Sequence, residues 1–213
     1  MPDQLTGKED WVVRGGISEP FATYKWLRGV EQGYVDLVLN PEMVHYCLGK
    51  LYELCYQAAS STFPPIPGKV IWTWVAEDVG SQESLLVSLK HIEEFFLPHM
   101  KRMIDLVHSA GAFAFHHSDG AVRDNIPNMI SIGTDVLDPV QYRAKGMDRE
   151  ALKRDFGDKL VFHGAMDNQY TLAFGSVREV RQEVADNIRI LGHDGGFILG
   201  PCHNLQAISP PEN

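Results

Sequence analysis

Six short apolar segments, separated by stretches with helical periodicity, constrain the fold of this chain more than any other feature. The segments are centred near Val12, Ile71, Phe115, Val136, Phe162 and Ile198. β-Branched and aromatic residues dominate them, as is typical of buried strands. Strands that alternate with helices pair in parallel through right-handed crossovers. The sequence therefore predicts an α/β fold. Because several segments end in ionisable residues, a barrel with its site at the carboxyl ends of the strands is favoured.

The helices carry their own start and stop signals. Asn40-Pro41-Glu42 predicts a helix start with Asn40 as the cap, because proline suits the first turn and glutamate favours the positive end of the helix dipole. Pro98 predicts a break in the helical stretch that begins at Ser88. Ser176 is the predicted N-cap of a helix that runs to Leu191.

The composition is that of an ordinary globular protein. At 213 residues, with 44% hydrophobic and 22% charged residues, the chain is expected to form a single domain over residues 1–213. A net charge of −9 argues against nucleic acid or an anionic membrane as a partner. The longest apolar runs fall short of a bilayer span and no signal sequence opens the chain, so a cytoplasmic protein is expected. Three cysteines without a CxxC motif argue against a disulfide framework.

The third apolar segment ends in polar residues that could bind a ligand, His116, His117 and Asp119. The stretch is Ala112-Phe-Ala-Phe-His-His-Ser-Asp-Gly120. Side chains alternate across a strand, so His117 and Asp119 should point to the same side. Such a pair can hold a cation. The alternative, that both side chains bind loop backbone, remains open at this point.

Other strand-like segments also end in ionisable residues. These are Asp78, Asp138, His163 with Asp167, and His203. Carboxyl ends of parallel strands meet at one edge, so the residues are candidates for one site. By itself the pair Glu77-Asp78 is interpreted as a solvated turn.

Several motifs, in this order and spacing, resemble one superfamily. They are Trp72–Gln82, Phe95–Pro98, His117–Gly120, Gly133–Gln141, Phe162–Asp167, and Cys202–Asn204 with Pro210–Asn213. The chain is identified by them as similar to the uroporphyrinogen decarboxylase superfamily, which includes the decarboxylase and the corrinoid or coenzyme M methyltransferases. The resemblance covers the chain from about Arg14 to the C-terminus.

The resemblance implies a TIM-type (β/α) barrel of eight strands with its site at their carboxyl ends. Six predicted strands leave that barrel without the N-terminal strands of the family. An open parallel edge is an aggregation liability, so we expect it to be covered by a partner, such as a second copy in a homo-oligomer, or by a shielding segment.

A methyltransferase is the preferred function among those that the resemblance implies. Its metal ligands would be His117, Asp119 and His203, holding a divalent ion, with zinc preferred and manganese or iron compatible with the harder ligands. A corrinoid would carry the methyl group, and a corrinoid protein would be a partner. The resemblance also implies a small-molecule substrate, with His163, Asp167 and Asp138 as the residues expected to bind it.

The alternative is a decarboxylase of the uroporphyrinogen type, a carboxy-lyase of porphyrin biosynthesis that uses no metal. Its catalytic residues would be His203, Asp78 and Tyr24. Asp78 stands where the family has a serine, and an acidic pocket would repel a substrate with many carboxylates. The second alternative is a non-catalytic module that binds a corrinoid or another small molecule.

Overall fold

A computed structural model describes residues 6–8 and 10–213, and all six predicted segments form strands in it. The strands are β1 Val13–Ser18, β2 Val70–Val75, β3 Phe113–His117, β4 Val136–Val140, β5 Val161–Met166 and β6 Phe197–Pro201. The helices are α1 Pro20–Arg28, α2 Val30–Leu39, α3 Pro41–Thr62, α4 Leu89–Phe95, α5 Leu97–Ser109, α6 Ile126–Ser131, α7 Arg149–Phe156, α8 Thr171–Phe174 and α9 Val177–Leu191. A short 3-10 helix, Arg123–Asn125, precedes α6.

The backbone divides into two compact units. The first contains the residues up to Asp78, Val87–His116 and Ser131–Thr134. The second contains Val79–Leu86, His117–Ile130 and Asp135–Asn213. The expectation of one domain remains a prediction.

In the first unit, β1 pairs with β2 and β2 with β3, both in parallel. Helices α1 to α5 supply its apolar core, in which Phe21 packs against Phe96 with ring centroids 4.9 Å apart. The break predicted at Pro98 is confirmed, because α4 ends at Phe95 and α5 begins at Leu97.

Two sequence expectations in the first unit are wrong. Asn40 precedes α3, but its side chain makes no capping bond and instead donates to Asp36 at 2.8 Å. A cap would use Asn40 Oδ1 to accept from an amide of the first turn. The side chain is instead oriented so that Nδ2 donates a charge-assisted hydrogen bond to the buried Asp36 carboxylate. Glu77 is not in a solvated turn, since it is only 1% exposed.

In the second unit, β4 pairs with β5 and β5 with β6, again in parallel. Its core joins these strands to α6, α7 and α9 through a cluster that includes Leu137, Phe162 and Leu191. The predicted cap of α9 is confirmed, because Ser176 and Glu179 form a complete capping box. Within the described residues, no helix has the length and apolar character needed to cross a bilayer.

Candidate functional site

Three side chains of the second unit, His117, Asp138 and His163, form a hydrogen-bonded row. The Asp138 carboxylate on β4 lies between two imidazoles. His117 Nδ1, at the end of β3, is 3.2 Å from Asp138 Oδ2. His163 Nδ1, on β5, is 2.5 Å from Asp138 Oδ1. Two imidazoles, from residues 21 and 25 positions away in sequence, therefore converge on one carboxylate.

The Asp138 carboxylate is ionised in this arrangement. Burial raises the pKa of Asp138, but hydrogen bonds from His117 and His163 outweigh burial and lower that pKa to about 2. An ionised carboxylate only accepts hydrogen bonds. Both Nδ1 atoms must therefore donate, and a neutral His117 keeps its lone pair on Nε2.

The backbone around this row is shaped to bring the groups together. Gly164 has φ +96°, and a Cβ at that position would lie 2.8 Å from Pro139 Cβ. Ala165 has φ 66°, a conformation that costs free energy for a residue other than glycine. Gly200 on β6 leaves room for the His163 ring, since a Cβ there would lie 3.1 Å from His163 Nε2. Left-handed backbone and close approach are typical of functional sites.

On its other side, His117 faces a second carboxylate. His117 Nε2 is 3.8 Å from Asp119 Oδ2, which agrees with the alternation expected in a strand. Gln141 fixes the orientation of Asp119 by donating from Nε2 to Asp119 Oδ1 at 2.8 Å. The Gln141 Oε1 atom in turn accepts from the Gly120 amide and from the Gln82 side chain. Sequence reasoning assigned no role to Gln82 or Gln141.

The predicted metal ligands do not assemble into a three-ligand site. His203 lies two residues after β6 and is exposed to solvent. Across residues 6–8 and 10–213, no group of three or more His, Cys, Asp or Glu side chains could hold a metal ion. Cys202 offers no thiolate, because burial raises the pKa of its thiol to about 12. Its Sγ donates to the Val140 carbonyl. The donor set therefore does not fit a catalytic zinc ion.

Asp167, predicted to bind substrate, has its carboxylate engaged within the protein. Arg143 Nε lies 2.5 Å from Asp167 Oδ2, and the amide nitrogens of Gln169 and Thr171 also donate to this carboxylate. Glu183 contacts the same residue, accepting from the Asp167 amide at 2.6 Å. These hydrogen bonds join the Asp167 carboxylate to the backbone at the start of α8, which favours a structural role for Asp167.

The two predicted catalytic residues of the first unit are placed differently. Tyr24 is buried and donates its hydroxyl to Asp36 Oδ2 at 2.6 Å, and burial raises the pKa of this hydroxyl to about 12. The geometry therefore supports a packing role for Tyr24. Asp78 follows β2 and is half-buried. Its neighbour Glu77 is the buried carboxyl at this strand end, and sequence reasoning missed it.

A family model described as uroporphyrinogen decarboxylase (URO-D) matches residues 7–213. The chain belongs to the uroporphyrinogen decarboxylase family. No curated protein matches the sequence significantly.

A methyltransferase from Methanosarcina mazei has a similar solved structure, with a TM-score of 0.72 and 16% sequence identity. The match covers 95% of this chain and 56% of that protein, so the chain spans little more than half of its length. At this identity the likeness concerns the fold. The predicted fold class, α/β with the (β/α) barrel topology of the uroporphyrinogen decarboxylase family, is confirmed, and the described residues contribute six strands to it.

Proposed function

We propose that this member of the family is a methyltransferase that passes a methyl group to a thiol, with His117 as the general base. The observation that carries the proposal is the contact between His117 Nδ1 and the ionised Asp138. A carboxylate that fixes one imidazole nitrogen as a donor leaves the other nitrogen able to take a proton from a nucleophile.

His117 Nε2 takes the proton of the thiol, and the sulfur forms a bond to the methyl carbon. The bond between that carbon and its leaving group breaks, and the leaving group keeps the electron pair. Asp119, 3.8 Å from Nε2, stabilises the imidazolium that results, and Asp138 does so from the other side.

We propose a corrinoid as the methyl carrier. When bound, it would supply the methyl group and would itself be a good leaving group. The group that accepts the thiol proton, His117 Nε2, belongs to this chain. His163 shares Asp138 with His117 and, in this proposal, keeps the carboxylate in place between the two rings.

The test is thiol methylation with methylcobalamin and 2-mercaptoethanol as probes, followed by the visible spectrum of the cobalamin. His117→Gln should lower kcat by about 10²- to 10⁴-fold, the usual contribution of a general base. His91→Gln is the matched control, because His91 lies on α4 of the first unit and should not alter the rate.

Two results would overturn the proposal. One is turnover that His117→Gln leaves unchanged. The other is a stoichiometric divalent ion in the purified protein that is lost in both His117→Ala and His203→Ala, because it would support the zinc site instead. Absence of turnover with every methyl donor tested would favour a binding module.

The description of the family model favours a second candidate, a decarboxylase acting on a substrate of the uroporphyrinogen type. The same row of side chains could then deliver a proton to the carbon that loses carbon dioxide. Incubation with uroporphyrinogen and chromatography of the porphyrins separates the two functions. Coproporphyrinogen would support the decarboxylase, and its absence would exclude that activity.

A further inference from the structure

A cavity of about 430 Å³ lies in the second unit between α8, α9 and the segment that follows β4. Its size is that of sites for small ligands. Three aromatic residues, Tyr142, Tyr170 and Phe174, line it. Tyr170 is 59% exposed and Phe174 is 67% exposed, although large aromatic side chains usually avoid water. Within this unit, an aromatic surface therefore faces the cavity without being covered.

Two guanidinium groups are stacked on these rings. Arg143 lies 5.3 Å from the ring centroids of both Tyr142 and Tyr170. Arg149 lies 4.2 Å from the Tyr142 centroid. A hydrogen bond also holds the Arg149 guanidinium, which donates to Oδ1 of the fully buried Asn187 at 2.5 Å. Both cations are thus held in place before a ligand binds.

The acidic and basic side chains of the cavity wall differ in the partners that they have within the unit. Each of the three carboxylates has donors of its own within the unit. Glu183 accepts from the Tyr142 hydroxyl and the Asp167 amide, Glu179 accepts from Ser176, and Asp186 accepts from Gln182 and Arg189. Arg149 helps to lower the pKa of Asp186 by electrostatic attraction, after the hydrogen bonds from Arg189 and Gln182, but in the part of the chain that the structure describes it contacts no carboxylate at ion-pair distance.

We propose that this cavity binds a small aromatic carboxylate. The guanidinium of Arg149 has N–H groups beyond the one given to Asn187, and a planar carboxylate is the acceptor that matches their geometry. The aromatic ring of the ligand would stack on Tyr170 and Phe174. The inference concerns a site apart from the row formed by His117, Asp138 and His163, and it does not depend on methyl transfer.

The experiment is a titration of the whole protein with sodium benzoate, followed by amide shifts of residues 170–175 in two-dimensional NMR spectra. Benzylammonium, of similar shape and opposite charge, is titrated in parallel. We expect saturable binding of benzoate only. Arg149→Gln should weaken it by about tenfold or more, because a charge-assisted hydrogen bond is lost.

Two further variants address folding and location. Arg154→Gln removes an equal charge from α7 outside the cavity, at a side chain that is 70% exposed, and should leave the benzoate affinity unchanged. Phe174→Ser changes an exposed ring and should weaken binding severalfold in a protein that melts normally.

The proposal is overturned if benzoate shows no saturable binding or if benzylammonium binds instead. It is also overturned if Arg149→Gln, folded by circular dichroism, binds as tightly as the unaltered protein. Loss of benzoate binding in His117→Ala would place the ligand at the strand-end row and would equally reject this cavity.

Discussion

Replacing Glu77 by glutamine should change how the stability of the protein depends on pH. The Glu77 carboxylate accepts from the Phe21 amide with both oxygens, at 2.9 and 3.1 Å, and from the Tyr52 hydroxyl at 2.7 Å. Burial raises the pKa of Glu77 to about 8, and the hydrogen bonds from Phe21 and Tyr52 offset only part of this. Nearby Glu19 raises the pKa further and Lys25 lowers it.

The sign of the effect follows from proton linkage. In the unfolded chain this carboxyl titrates near its ordinary value of 4.5, whereas in the folded protein it stays protonated up to about 8. Between these values the folded state binds the extra proton, so the free energy of unfolding falls as pH rises. The slope is on the order of 1 kcal/mol per pH unit, which gives a loss of a few kcal/mol between pH 5 and 8.

Urea unfolding at several pH values measures this loss. In Glu77→Gln the neutral amide cannot titrate, so the fall between pH 5 and 8 should be smaller than in the unaltered protein by a few kcal/mol. Glu42→Gln is the control, since Glu42 is exposed at the start of α3 in the same unit. Parallel curves for Glu77→Gln and the unaltered protein would refute the reasoning, because they would mean that Glu77 is ionised at no cost.

Three shorter predictions concern the second unit. Asp138→Asn should lower thiol methylation by about 10³-fold or more, because an amide can donate to His117 Nδ1 and remove the lone pair from Nε2; a normal rate would contradict this. Gly200→Ala should displace the His163 ring, which a Cβ would approach to 3.1 Å, and the ring signals in NMR spectra should shift while thermal unfolding changes little. Ser176→Ala should cost about 1 kcal/mol in urea unfolding through loss of the α9 cap, and Ser84→Ala, in an exposed loop, should cost less.

Local patterns in the sequence were sufficient to predict the six strands and the break between α4 and α5. The apolar run around Ile71 and the alternation that ends at His117 predict β2 and β3, because strand formation depends on neighbouring side chains. Pro98 breaks the helix wherever the chain folds, since it lacks an amide hydrogen. Helix α2 was missed, because Val30–Leu39 combines a glycine with an apolar face that only a neighbouring helix explains.

The candidate site was predicted in part. His117, Asp119, Asp138 and His163 were named from their positions at strand ends, and the structure brings them together. Which atoms meet could not be predicted, because that depends on strand register. A register shift lies between Leu137 and Val140 of β4, and Asp138, within this stretch, meets two imidazoles with its carboxylate.

The sequence alone determined the order of strands and helices, the family and the residue types at the strand ends, since these follow from periodicity and motif spacing along the chain. The tertiary structure decided which groups share a proton or a charge. Asp138 lies between His117 and His163, Glu77 is buried under Tyr52, and His203 remains in solvent. The physical reason is that burial and hydrogen bonding arise between segments distant in sequence, and no local pattern encodes the distance between their side chains.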